Sequence, residues 1–174
     1  MADKALYVLA GYDDKTEAYL SGIQDKLYSL GFSGFHTKNI PMHITLGSFP
    51  CDKEEELKKL VRKTAYEVSA FDVTVNHVGI FGGAQVLFAA PDVSHDLLSL
   101  KERFGDSTNW TAHTTFLIDA PEVIYKALPH VMEDFSTFGG KITSLHLYEF
   151  FPTRHILAVN LKDSQTKSNP MDKR

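Results

Sequence analysis

The chain has one cysteine, Cys51, and therefore no internal disulfide. That fits a reducing compartment, and we expect a cytoplasmic protein. It has no long apolar run. The first hydrophobic stretch, Ala5 to Ala10, is far below the ~20 residues of a membrane span and is flanked by Asp3, Asp13 and Asp14. Neither a signal segment nor a membrane anchor is expected. A basic surplus is also missing: 18 Lys and Arg against 22 Asp and Glu give a net charge of −4 and a pI near 6.0. Proteins that grip long nucleic acid usually carry the opposite balance, so long DNA is a poor partner. No His, Cys and carboxylate set falls at metal-ligand spacing, so neither metal nor cofactor is expected.

What is present is ordinary globular composition, 43% hydrophobic and 23% charged over 174 residues. This suits one compact domain over 1–163, a monomer, with a polar tail over 164–174. The periodicity predicts strand, helix, strand, helix, hairpin, helix, strand, helix, hairpin. Asp13 or Asp14 starts the first helix and Gly31 stops it. Asp52 with Glu55 resembles a capping box for the second helix. Asp119 and Pro121 start the last helix, which Pro129 should kink or shorten. Gly139-Gly140 should break the chain before the final hairpin. Short connections and hairpins favour an α+β fold with mostly antiparallel sheets.

Two segments repeat one pattern. His43-Ile44-Thr45-Leu46 and His113-Thr114-Thr115-Phe116 each read histidine, any residue, threonine, apolar residue. Both fall in predicted strands, Met42 to Phe49 and Thr111 to Ile118. The period of two then puts His43, Thr45 and Gly47 on one face, opposite Met42, Ile44 and Leu46. It puts His113, Thr115 and Leu117 opposite Ala112, Thr114, Phe116 and Ile118. With eight histidines in the chain, about one such match arises by chance. The strand setting and the parallel placement in two similar halves give the pair its weight.

Two imidazoles and two hydroxyls in one cleft can handle a phosphodiester. Histidine titrates near neutral pH, so one ring can take a proton while the other gives one. Threonine hydroxyls can donate to non-bridging oxygens, where negative charge develops. Lys38 precedes the first motif and could steer phosphate. Tyr12, Trp110 and Phe151 could stack a base, and Arg154 could pair with a phosphate. For each of these five, packing or plain exposure is the commoner fate.

The segments Pro41-Met42-His43-Ile44-Thr45-Leu46-Gly47 and His113-Thr114-Thr115-Phe116 resemble the paired signatures of the two-histidine phosphoesterase superfamily, in particular bacterial proteins called 2′-5′ RNA ligase-like or cyclic phosphodiesterase-like. The resemblance extends in element order over nearly the whole chain. It implies a bilobal fold, two mostly antiparallel sheets with outer helices and a central cleft. It also implies metal-independent attack on 2′-linked or 2′,3′-cyclic phosphates, with His43 and His113 as the acid–base pair and Thr45 and Thr115 as phosphate donors. Some relatives carry an arginine soon after the second threonine; here Phe116, Leu117 and Ile118 follow. With the acidic net charge, this favours a small nucleotide or short oligonucleotide, or an RNA end, as partner. Ligation of RNA, cleavage of cyclic oligonucleotides, and a non-catalytic nucleotide- or RNA-binding module are the alternatives.

Overall fold

A computed structural model describes residues 4–35, 40–83 and 85–163. Lys38 and the tail over 164–174 lie outside the described residues. The elements run β1 (Ala5–Tyr12), α1 (Asp14–Ser29), β2 (His43–Phe49), α2 (Glu54–Glu67), β3 (Phe71–Ile80), β4 (Val86–Pro91), α3 (His95–Glu102), β5 (Thr114–Ile118), α4 (Pro121–Asp134), β6 (Phe138–Phe150) and β7 (Arg154–Asn160). The order of elements is the one the periodicity predicts.

Every pairing between these seven strands is antiparallel, in the order β2-β1-β6-β3-β4-β5, with β7 also on β6. The two expected halves meet in the long strand β6. Its Ile142 pairs with Tyr12 of β1 on one edge and with Phe71 of β3 on the other. The end strands β2 and β5 come back together. Thr114 Oγ1 donates to the His43 carbonyl at 3.0 Å, and Trp110 Nε1 donates to the Thr45 carbonyl at 3.0 Å. The curled sheet thus brings the two repeated motifs side by side.

The helices cover one face of the sheet. Leu6, Val8 and Ala10 of β1, Ile44 and Leu46 of β2, and Leu145 and Leu147 of β6 are buried there with α1 and α2 side chains such as Leu20, Leu27, Leu57 and Val61. Each fully buried aliphatic side chain contributes roughly 1.5–3 kcal/mol relative to exposure. The opposite face of β1 and β6 carries Leu9, Tyr148 and Phe150, with Tyr7 and Ile40 packed on them.

Local starts and stops differ in places from the sequence reading. Asp13 caps α1, accepting from the Thr16 N–H at 2.8 Å, and Gly31 has φ +92° at its end. Asp52 caps nothing. Cys51–Lys53 form a 3₁₀ turn, and α2 begins from Lys53 without a side-chain cap. The tighter turn consumes the residues a capping box would need. Ala120, not Asp119, is the N-cap of α4. Pro129 does not end that helix, because Ile124, Ala127 and Val131 on either side of it are buried. Gly139 and Gly140 lie within β6 and pair with Thr74 and Val73. A Cβ at Gly140 would meet Thr16 Oγ1 at 2.5 Å, so glycine here permits α1 to approach the sheet rather than breaking the strand.

Candidate active site

Both motif strands are bulged at the same place. In β2, Val8 faces Gly47 and Leu9 faces Thr45, so Leu46 is the extra residue. In β5, Leu87 faces Leu117 and Phe88 faces Thr115, so Phe116 is the extra residue. Each is the apolar fourth position of its motif, and both are fully buried. A bulge bends the strand and re-aims its side chains. Simple alternation therefore fails past each motif. Leu117, expected beside His113 and Thr115, is buried in the core, while Ile118 lines the cleft. The second strand also starts later than predicted: His113 immediately precedes β5.

The carbonyls next to the bulges are held by side chains. Gln24 Nε2 of α1 donates to the Phe116 carbonyl at 2.9 Å, matching the Trp110 bond to Thr45. Tyr12 OH lies 2.7 Å from Thr114 Oγ1. Since that hydroxyl spends its single proton on the His43 carbonyl, Tyr12 is the donor, and a chain runs from Tyr12 through Thr114 to His43. Burial raises the Tyr12 phenol well above its ordinary value.

The two histidines are posed alike. His43 Nδ1 lies 2.7 Å from the Pro41 carbonyl, and His113 Nδ1 lies 2.8 Å from the Thr111 carbonyl. A carbonyl only accepts, so each Nδ1 carries the proton. Each Nε2 is then the basic nitrogen of the neutral ring. His113 is further fixed by Phe81 and Phe88, whose rings meet it edge to face at 4.7 and 5.5 Å. Burial lowers the His43 pKa to about 4. The Pro41 hydrogen bond opposes that shift, and the charges of His113 and His146 reinforce it. Neither Thr45 Oγ1 nor Thr115 Oγ1 has a hydrogen-bond partner among the described residues.

Two cavities flank this group. One of about 240 Å³ is lined by His43, Thr45 and Thr115 together with Tyr7, Phe150 and Phe151. The other, about 350 Å³, is lined by His113, Trp110, Thr45 and Tyr7. Among the described residues no group of three His, Cys, Asp or Glu could hold a metal ion. No described helix is long and apolar enough to cross a membrane.

The remaining candidates separate. Phe151 lines the first cavity and Trp110 the second. Tyr12 is only 7% exposed and its hydroxyl is engaged with Thr114, so it joins strands rather than stacking a base. Arg154 is held by Glu149 at 3.1 Å and Glu54 at 2.6 Å, clamping β7 to β6 and α2 rather than meeting phosphate. Those carboxylates raise its pKa further, and Glu149 is in turn held down to about 2 by Arg154 and Lys4. Sequence reasoning missed Tyr7, Gln24, Phe88 and Phe150. Tyr7 and Phe150 share the cleft face by strand parity, a signal visible only once the β1–β2 and β1–β6 pairings are known.

Residues 17–150 match the model of the 2′-5′ RNA ligase superfamily. The chain belongs to that superfamily. Its fold is that of E. coli LigT complexed with 3′-AMP, at a TM-score of 0.62 and 16% identity, covering 92% of this chain and 99% of that one. LigT complexed with ATP aligns at 0.60 and 15%, covering 92% and 98%. The Thermus thermophilus protein TT0787 aligns at 0.61 and 16%, covering 92% of this chain and all of that one. No functionally curated protein matches the chain.

Proposed function

We propose that the protein is a phosphodiesterase that acts on 2′,3′-cyclic phosphates or 2′-5′ linkages of small nucleotides or short oligonucleotides, without a metal. The observation that carries this reading is the matched pose of the two imidazoles. Each Nδ1–H is tied to the carbonyl two residues earlier, and each Nε2 is left for proton transfer. Thr45 and Thr115, with unengaged hydroxyls, stand beside them as donors to the non-bridging oxygens.

His43 is neutral in the ligand-free site, which suits it to the base. Its Nε2 takes the proton of the attacking hydroxyl or water as the new phosphorus–oxygen bond forms. His113, which must enter this step as the imidazolium with a second proton on Nε2, gives that proton to the oxygen that leaves. LigT, a structural neighbour, was crystallised with 3′-AMP and with ATP, consistent with a nucleotide-sized site. The same groups run backwards would join a 2′,3′-cyclic phosphate to a 5′-hydroxyl, the direction in the superfamily's name.

The test is turnover, in EDTA, of cyclic mononucleotides, 2′-5′ and 3′-5′ dinucleotides and a nicked tRNA. Hydrolysis of a 2′-linked or cyclic substrate that His43→Ala abolishes is the expected result. Joining of the tRNA without hydrolysis would favour the ligase direction. Activity retained in His43→Ala would remove the reading.

A further inference from the structure

His113 ends the segment 103–113 between α3 and β5, and among the described residues no strand pairs with that segment. The ring itself is held in two ways. Phe81 and Phe88 meet it edge to face, and its Nδ1–H rests on the Thr111 carbonyl. The aromatic rings restrict the plane of the imidazole without choosing which nitrogen carries the proton. The carbonyl makes that choice. Whatever places Thr111 therefore decides whether Nε2 is the reacting nitrogen.

The anchor of the segment is Lys101, in the last turn of α3. The helix dipole favours an ammonium there, and a lysine in that place ordinarily stands in water. Lys101 is instead 6% exposed, and no carboxylate of the described residues forms an ion pair with it. Its Nζ donates to the Gly105 carbonyl at 3.1 Å and to the Asp106 carbonyl at 2.7 Å, and lies 6.0 Å from the centre of the Trp110 ring. Burying a charge without a counter-charge is costly, and charge-assisted bonds of this kind offset it. From Asp106 the chain is pinned link by link. Asp106 Oδ1 accepts from the Thr108 N–H at 2.9 Å and from its hydroxyl at 2.8 Å. Asn109 turns the backbone at φ +59°, and the Trp110 indole N–H bonds to the Thr45 carbonyl. Gly47 lets the segment lie this close to β2, since a Cβ there would meet the Phe104 carbonyl at 2.9 Å. Thr111 and then His113 follow directly.

We propose that Lys101 is a positioning residue for His113, holding the 105–111 segment so that the Thr111 carbonyl keeps Nδ1 engaged and leaves Nε2 to carry the transferred proton, given the reading above of His113 as the proton donor. Lys101 acts only through the segment, and its bonds end at the Gly105 and Asp106 carbonyls. His43 has a separate support. Its Nδ1 rests on the Pro41 carbonyl and its own carbonyl on Thr114, neither of which belongs to the segment. Loss of Lys101 should therefore disturb one imidazole and spare the other. A displacement of about 1 Å in a reacting group is enough to cost a large factor in rate.

Ring-nitrogen NMR of the intact protein, with the imidazoles neutral, reads this support directly. In the wild type, His43 and His113 should both carry the proton on Nδ1. In Lys101→Met, His113 should move toward the Nε2–H form that a histidine in water prefers, while His43 stays on Nδ1 and reports that the fold is intact. Should the methionine variant not fold, Lys101→Gln, which keeps one neutral donor, carries the same comparison. An unchanged His113 in a folded variant overturns the proposal. So does a shift of both histidines, which would mark general loosening of the site.

Kinetics separates a misplaced acid from a damaged site. A nucleoside oxygen needs a proton to leave, whereas p-nitrophenolate leaves without one. With a nucleoside leaving group, in a 2′-5′ dinucleotide or a 2′,3′-cyclic phosphate, kcat should fall at least about tenfold in Lys101→Met. With the 2′-(p-nitrophenyl phosphate) of the same nucleoside, the loss should stay below about threefold, and His113→Ala should show the same selectivity. Equal losses on the two kinds of leaving group overturn the proposal. If the wild type turns over no diester, cyclic or open, and the His113 proton still shifts in Lys101→Met, the phosphodiesterase reading falls and Lys101 remains the support of His113.

Discussion

Thr114 and His43, on strands at opposite ends of the sheet order, are joined by a single 3.0 Å bond from the threonine hydroxyl to the histidine carbonyl. Thr114 is the second residue of the second motif, and its side chain points away from the cleft, into the core. The motif thus has two jobs in alternate residues: His113 and Thr115 face the cleft, and Thr114 ties one motif to the other.

That bond gives the first prediction. Thr114→Val keeps the shape and deletes the hydroxyl. Tyr12 OH then loses its acceptor and the His43 carbonyl its donor. Leaving a buried polar group such as the Tyr12 hydroxyl unpaired costs about 1–3 kcal/mol. Urea denaturation should show a loss in that range, and kcat should fall as the two histidines lose their fixed spacing. Thr114→Ser, which keeps the hydroxyl, should recover most of both. Equal stability of the valine and serine variants would show that the bridge contributes nothing.

The two reacting motifs give the second. Removing a positioned acid or base typically costs 10²–10⁴ in rate, so His43→Ala and His113→Ala should each fall by about that much. Thr45→Val and Thr115→Val keep the β-branch and remove one donor each, for an expected loss of about 10²–10³ in kcat. Steady-state kinetics on the best substrate of the panel checks this. Losses confined to KM would assign the threonines to ground-state binding instead.

The pH dependence of stability gives the third. The His43 pKa falls to about 4 on folding, from about 6.5 unfolded. Between those values the unfolded chain holds more protons, so stability rises with pH. This contribution is fully present above about 6.5 and gone below about 4. His146, lowered by its burial and by His155, acts in the same direction. Urea midpoints should therefore climb from pH 4 to 6.5, and the slope should flatten in His43→Gln. An NMR titration placing His43 near 6.5 in the free protein would contradict the burial argument and leave the base unassigned.

Much of this arrangement is legible in the sequence, for identifiable reasons. The helices show as apolar stripes, and the paired motifs as polar positions alternating with Ile44, Leu46 and Phe116. What stayed hidden depends on contacts distant along the chain. The bulges at Leu46 and Phe116 appear only against their partner strands β1 and β4. Tyr12 and Arg154 look like ligand contacts in isolation, until Thr114 in one case and Glu54 and Glu149 in the other claim them. Gly140 reads as a breaker because Thr16, which needs the space, lies on another element.

Gly11 carries the last prediction. It pairs with His43 on one side and Ser144 on the other, so it sits directly beside the first motif in the sheet. A Cβ there would meet His146 Nε2 at 2.7 Å and collide with Ser144 Oγ, which are themselves bonded at 2.9 Å. Ser144 and His146 lie on β6, Ser144 is buried, and His146 Nδ1 is already buried without a partner. Gly11→Ala must therefore push β1 away or break the Ser144–His146 bond. Overpacking of this kind costs about 1–3 kcal/mol. Because β1 holds His43 through the β1–β2 ladder, kcat should fall along with stability. Gly11→Ala combined with Ser144→Ala and His146→Ala, which makes room for the added methyl, should restore stability over Gly11→Ala alone. If the triple variant is no more stable than the single one, the crowding at Gly11 is not the cause.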